Sequence, residues 1–311
     1  MYELLAEVVR NGFVESVHFG AVAGLGPDGT LAYARGDVAA TVFPRSAVKP
    51  FQALACLTAG APLSGERLAI AAGSHTGQDL HVKTVETMLA DAGLGFEALR
   101  CPPSWPQDTA ARTALIKADA GKTREHMNCS GKHAAMLSAC VANGWPTESY
   151  LDPAHPLQQR IRTTLGELAG EWPDPVAVDG CGAPLLGLSL SGLARATRAL
   201  AMAEDGPLRQ VAEAIRQHPE YVAGDGHVNT ELMRALPGVI AKGGAEGVLI
   251  TATRQGHAVA VKVGDGSPRA TTAIALAALE ALGADVSGAG SLRTVPVLGG
   301  GRPVGEIRPC S

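Results

Sequence analysis

Strand patterns occupy both ends of this chain and helical patterns fill its middle, which leaves few ways to fold it. Residues 3–10, 18–24 and 30–35 read as short strands, separated by the turn signals Asn11-Gly12 and Pro27-Asp28-Gly29. From Ser46 to about Ala235 the apolar spacing becomes helical, with candidate helices at 51–59, 79–92, 132–143, 156–170, 184–203 and 207–217. Beyond Pro237 strands return at 238–241, 247–253 and 257–263. A helix at 270–282 follows, then a hairpin of 294–297 with 304–307 around Gly299-Gly300-Gly301. Strands from the two termini can join in one antiparallel sheet with the helices packed beside it. The expectation is an α/β fold in one two-lobed domain over 1–311. Its sheet lobe takes about 1–45 plus 237–311, and its helical lobe about 46–236. No internal repeat or low-complexity linker interrupts the pattern.

Composition narrows the class. Hydrophobic residues make up 46 %, enough for a sizeable core. A net charge of −4 and an aromatic content of 4 % argue against a nucleic-acid partner. No uncharged stretch, 180–194 among them, reaches the roughly 18 apolar residues a membrane span needs. The first residues carry Glu3 and Glu7 and no basic cluster, so no signal peptide is expected. Six cysteines in 311 residues are no disulfide scaffold, which points to a reduced cytoplasm.

Gly24-Leu25-Gly26-Pro27-Asp28-Gly29 matches a GxGxxG string, but a strand follows it, not a helix, so it reads as a hairpin turn. Ser46-Ala47-Val48-Lys49 is the only Ser-x-x-Lys in the chain. On a helical turn i and i+3 share a face. The Lys49 amine can then reach the Ser46 hydroxyl and, when neutral, activate it as a nucleophile. Pro50 is tolerated only near a helix start, which places Ser46 at or before the first turn, where the helix dipole favours an oxyanion. The plainer alternative is a helix cap followed by a solvated lysine.

Ser74 stands in Gly73-Ser74-His75-Thr76-Gly77 after the apolar run 68–72. It either projects into a cleft or caps a helix beginning near Asp79. In Asn128-Cys129-Ser130-Gly131-Lys132-His133, Cys129 precedes Lys132 by three residues and His133 by four, and Asp179-Gly180-Cys181 offers a second thiol. Two thiolates from separate loops could hold zinc, with His133 the ordinary third ligand and Lys132 the unusual one. Paired C-x-x-C spacing is missing, and small buried cysteines are the alternative. Lys242-Gly243-Gly244 reads as a strand end where two glycines let a ligand approach the backbone, or as an exposed loop lysine.

Taken together and in this order, Arg45-Ser46-Ala47-Val48-Lys49-Pro50, Ser74-His75, the Asn128-to-His133 segment, Asp179-Gly180-Cys181 and Lys242-x-Gly244 resemble the L-asparaginase II family. These are the rhizobial-type asparaginases, distinct from the threonine-dependent bacterial enzymes. The resemblance runs to about Asp265 and includes His218-Pro219-Glu220 with Val222-Ala223-Gly224; the segment around Cys129 is its most specific element. It implies a fold similar to serine β-lactamases and glutaminases, and hydrolysis of L-asparagine to L-aspartate and ammonia. The implied catalytic pairs are Ser46 with Lys49 and Ser74 with Lys242. The implied zinc site is Cys129, Lys132 and Cys181 with water completing the shell, and the implied assembly is a homodimer. Arg45, Asn128, His133 and Asp179 are candidates for substrate contact or support. Gly77-Gln78 and Gly243 depart from the family pattern without removing a reacting group, and bear on the preference between asparagine and glutamine.

The expected chemistry is a double displacement. Lys49 takes the Ser46 proton, Ser46 attacks the amide, and Ser74 with Lys242 relays a proton to the leaving ammonia. Two other readings compete. One is a serine acyl hydrolase of β-lactams or peptides, in which Cys129 and Cys181 would have no role. The other is a non-catalytic zinc- or amino-acid-binding protein.

Overall fold

The computed structural model describes residues 1–310. It opens with β1 (Glu3–Arg10), β2 (Phe13–Leu25), β3 (Leu31–Arg35) and the short β4 (Thr41–Val42). Asn11 and Gly12 take positive φ, 47° and 81°, as a tight Asn-Gly hairpin requires. A 3-10 turn, Arg45–Val48, leads into α1 (Lys49–Thr58). Then come α2 (Gly65–Ala71), α3 (Asp79–Asp91), α4 (Thr109–Lys117), α5 (Ser130–Asn143) and α6 (Pro156–Ala169). Three short strands follow, β5 (Val176–Val178), β6 (Pro184–Leu186) and β7 (Leu188–Ser189). After them lie α7 (Leu190–Met202), α8 (Gly206–Gln217), α9 (Pro219–Val222) and α10 (Val228–Ala235). The chain ends with β8 (Ile240–Gly244), β9 (Val248–Ala252), β10 (Ala258–Val263), α11 (Thr271–Ala281), β11 (Val295–Gly299) and β12 (Arg302–Pro309).

The main sheet has the order β11-β12-β1-β2-β10-β9-β8, with β3 on β2 as well, and its pairs are antiparallel. Both chain ends contribute to it, as the strand–helix–strand pattern predicts. β2 is long enough to serve β1 with its first half and β3 with its second on one edge, while β10 takes the other edge. β9 and β10 are buried almost throughout, so they read as continuous apolar runs, and α7 and α11 pack on β10. One apolar cluster runs from sheet residues such as Val22 and Val259 to helix residues such as Leu137 and Leu193.

The structure corrects the sequence at several places. The helix expected over 184–203 begins only at Leu190. Pro184–Leu186 pairs with β5 and Leu188–Ser189 with β4. Gly187 lies so close to the Asp174 carbonyl that a side chain would not fit, and Ser189 caps α7 by accepting from the Gly192 N–H. The helices α2, α4, α9 and α10 were not legible. α2 hides in an apolar run of buried-strand length, and α4 has no buried residue and therefore no apolar stripe. Lys242 lies inside β8 and not beyond its end.

Candidate active site

Ser46 sits in the 3-10 turn before α1, with Pro50 in the first turn of that helix. Strand β8 is pressed against this turn at Gly244, where a Cβ would overlap the Pro44 carbonyl oxygen. Gly244 thus admits the chain's own backbone, and with Gly243 it also lines the cavity described below. The close approach brings Lys242 of β8 beside α1. The loop carrying Ser74 comes from the other direction. The Ser74 and Thr76 N–H groups donate to Val222 and Ala223 carbonyls, both at 2.7 Å, and the His75 N–H donates to Asn128 O at 3.1 Å. Ser74 caps no helix; Gln78 caps α3 in a reciprocal exchange with His81.

Two amines converge on Ser74 Oγ. Lys49 Nζ lies at 2.8 Å and Lys242 Nζ at 3.0 Å. Lys49 also donates to Gly73 O at 2.6 Å and Asn128 O at 3.4 Å, and Lys242 donates to Gly243 O at 2.6 Å. The i, i+3 contact inferred from the sequence does not form: among the described residues Ser46 Oγ has no hydrogen-bonding partner. Lys49 is wholly buried and Lys242 is 1 % exposed. Burial pushes the Lys49 ammonium below its ordinary value, with the Lys132 charge adding to the effect. Burial pushes Lys242 well below its ordinary value, helped by the charge on Lys49.

Ser46, Ser74, Asn128 and Lys242 line a single cavity of about 620 Å³. Gln107, His227 and Asn229 also face it and carried no signal in the sequence. Of the four residues put forward for substrate contact, only Asn128 is on its wall. Arg45 and Asp179 are joined to each other, Nε to Oδ1 at 2.6 Å, and Arg45 faces a separate cleft with Glu246 and Lys262. Arg45 holds a positive φ of 54°, a left-handed strain adjoining Ser46 that the ion pair helps to fix. His133 is buried on α5 and does not line the cavity.

The residues proposed for zinc do come together. Lys132 Nζ donates to Cys181 Sγ at 3.1 Å, and Cys129 Sγ to Asn128 Oδ1 at 3.2 Å. A hydrogen bond from Cys129, acting against burial, and the Lys132 charge hold the Cys181 thiol far below its ordinary value. The same shared bond and burial drive Cys129 well above. Burial opposes the Lys132 charge, but Cys181, Cys129 and Asp179 outweigh it and keep the ammonium above its ordinary value. Among the described residues no group of three or more His, Cys, Asp or Glu is arranged to hold a metal ion. Cys129, Lys132 and Cys181 thus offer an S₂N set, in which the Lys132 ammonium would have to lose its proton before it could coordinate a metal.

A family model described as L-asparaginase II matches residues 6–309. The chain belongs to the L-asparaginase II family. Membership makes it an amidohydrolase acting on a small-molecule substrate. A comparison with curated proteins finds no match. Among solved structures, a β-lactamase from Mycobacterium bovis is 17 % identical, with 85 % of this chain and 94 % of that one covered and a TM-score of 0.47. A Bacillus glutaminase determined in 4.3 M NaCl is 13 % identical, with 79 % and 83 % covered and a TM-score of 0.42. Among the described residues of this L-asparaginase II member no helix is long and apolar enough to cross a membrane.

Proposed function

We propose that this chain hydrolyses the side-chain amide of L-asparagine to L-aspartate and ammonia through an acyl-enzyme on Ser46. The observation that carries the reading is Ser74 Oγ held between the Lys49 and Lys242 amines, on the wall of the cavity that Ser46 also lines. A hydroxyl tied to two amines is built to pass protons, and a hydroxyl free of partners is built to meet a carbonyl carbon. In acylation Ser46 Oγ bonds to the amide carbon and its proton goes to neutral Lys49 as the substrate draws them together. The C–N bond breaks, and the proton passes from Lys49 through Ser74 to the departing ammonia. Lys242 steadies the Ser74 oxygen while its own proton is in transit. In deacylation water enters where ammonia left, its oxygen bonds to the ester carbon, and the same groups carry one of its protons back to Ser46 as the ester bond breaks; the other stays with the new carboxyl group, which releases it on ionising.

Asn128, on the cavity wall, would contact the substrate, while the Arg45–Asp179 pair would hold the turn that presents Ser46. Cys129, Lys132 and Cys181 would hold zinc, which when bound supplies a fixed positive charge beside the lysine network. The family resemblance supports a homodimer, and the absence of a disulfide scaffold supports a reducing cytoplasm. An ammonia-release assay with asparagine and glutamine, run beside a chromogenic β-lactam, tests the reading. Asparagine is expected to be turned over fastest. Turnover of the β-lactam without asparagine would favour a serine acyl hydrolase, and no turnover of any would favour a binding protein.

A further inference from the structure

Arg269 lines the same cavity as Ser46 and Ser74, and two hydrogen bonds tie it back to the sheet. His18 of β2 is 1 % exposed. Arg269 Nε donates to His18 Nε2 at 2.9 Å, and His18 Nδ1 lies 2.7 Å from Asp265 Oδ2, just beyond β10. A guanidinium N–H only donates, so His18 Nε2 accepts. The ring hydrogen then sits on Nδ1 and is given to the Asp265 carboxylate. Carboxylate, imidazole and guanidinium thus form one directed chain. Arg269 Nη2 donates to Ser16 Oγ at 3.3 Å, and among the described residues Nη1 has no acceptor. The remaining guanidinium hydrogens are left for a ligand.

The charge on the cavity wall says what that ligand group is. Among the described residues no aspartate or glutamate lines the cavity, and its lysine and arginine are Lys242 and Arg269. Lys242 is engaged with Ser74 Oγ and Gly243 O, and burial beside Lys242 holds His227 toward its neutral form. Arg269 is left as the cation to meet an anion. We infer that Arg269 binds the α-carboxylate of an amino-acid amide, with His18 and Asp265 as positioning residues that hold the guanidinium at the cavity wall. This rests on the asparaginase reading and adds how the end of the substrate away from the reacting amide is held. A planar guanidinium matches a carboxylate in shape as well as charge. Anchoring it in advance lowers the ordering cost of binding. A substrate without the carboxylate would leave the cation unpaired and bind poorly.

The test compares L-asparagine with L-asparaginamide, in which a neutral carboxamide replaces the α-carboxylate; chromatography of the products follows side-chain hydrolysis in both. In Arg269→Gln the KM for L-asparagine should rise about 10–100-fold, the cost of a lost charge-assisted hydrogen bond, while kcat changes far less. The KM for L-asparaginamide should stay within about threefold, and Arg269→Lys should recover part of the loss. Asp265→Asn, at a half-exposed side chain, should raise the KM for L-asparagine about 3–10-fold and leave L-asparaginamide alone. An unchanged KM for L-asparagine in Arg269→Gln would overturn the inference and leave the asparaginase reading standing, as would an equal rise for both substrates. An unchanged Asp265→Asn would overturn the positioning role. Wild-type protein that turns over neither amide would overturn the asparaginase reading. Calorimetric titration with L-aspartate then decides Arg269: binding weakened in Arg269→Gln upholds the carboxylate site, and no binding to wild type, or equal binding to both, overturns it.

Discussion

Lys49 Nζ donates to Ser74 Oγ across 2.8 Å, a bond between residues 25 positions apart. It makes one proton path of two motifs, because Lys242 reaches the same oxygen. Ser74→Ala and Lys242→Met should each lower kcat by about 10²–10⁴-fold, the range of a lost acid–base partner. The double variant should be little worse than either single one, because the two residues act on one step. Steady-state kinetics on the three variants checks this, and fully additive losses would separate them into different steps.

Lys242 illustrates a cost of building such a site. Its folded pKa lies well below that of the free side chain because it is buried and faces Lys49. In that circumstance the unfolded chain binds more protons than the folded one, so stability rises with pH. The penalty is fully present below the folded pKa and disappears above the unfolded value of about 10.4. Lys242→Met should therefore melt at a higher temperature than wild type at pH 7, and the gain should shrink as pH approaches 10. Calorimetry across that range decides it; a variant less stable at pH 7 would mean the amine is stabilising where it lies.

Much of the architecture was legible and much of the wiring was not. β1 was read to the residue because Asn11-Gly12 ends it and its burial alternates only weakly against polar flanks. α5 and α11 were read because they carry long apolar stretches. The strands β6 and β7 were lost because Pro184 to Leu190 is apolar and merges with α7 in any periodicity count. At the site, the residue types were found but their partners were not. Helical spacing put Lys49 with Ser46, whereas the crossing of α1 with the Ser74 loop puts it on Ser74. Arg45 and Asp179 lie 134 positions apart, and nothing in either segment announces that they neutralise each other. Tyr150 lies in a stretch with no reactive neighbours, so its contact with His133 needed the fold.

The S₂N donor set makes a statement about metal content. Purified protein should hold about one zinc per chain. Cys129→Ser and Cys181→Ser should lose it, with KM raised more than kcat lowered, since the reacting hydroxyls lie outside the donor set. Elemental analysis beside kinetics measures both. Protein free of zinc after gentle purification would contradict the assignment.

Ser46 as the attacking group is the centre of this account. Ser46→Ala should lose roughly 10³-fold or more in kcat with its fold intact. The most direct measurement is rapid acid quenching of the enzyme during asparagine turnover, followed by peptide mass spectrometry. An aspartyl ester on the peptide bearing Ser46 is the predicted result. The ester on Ser74 instead, with Ser46→Ala still forming it, would contradict the account and exchange the roles of the two serines.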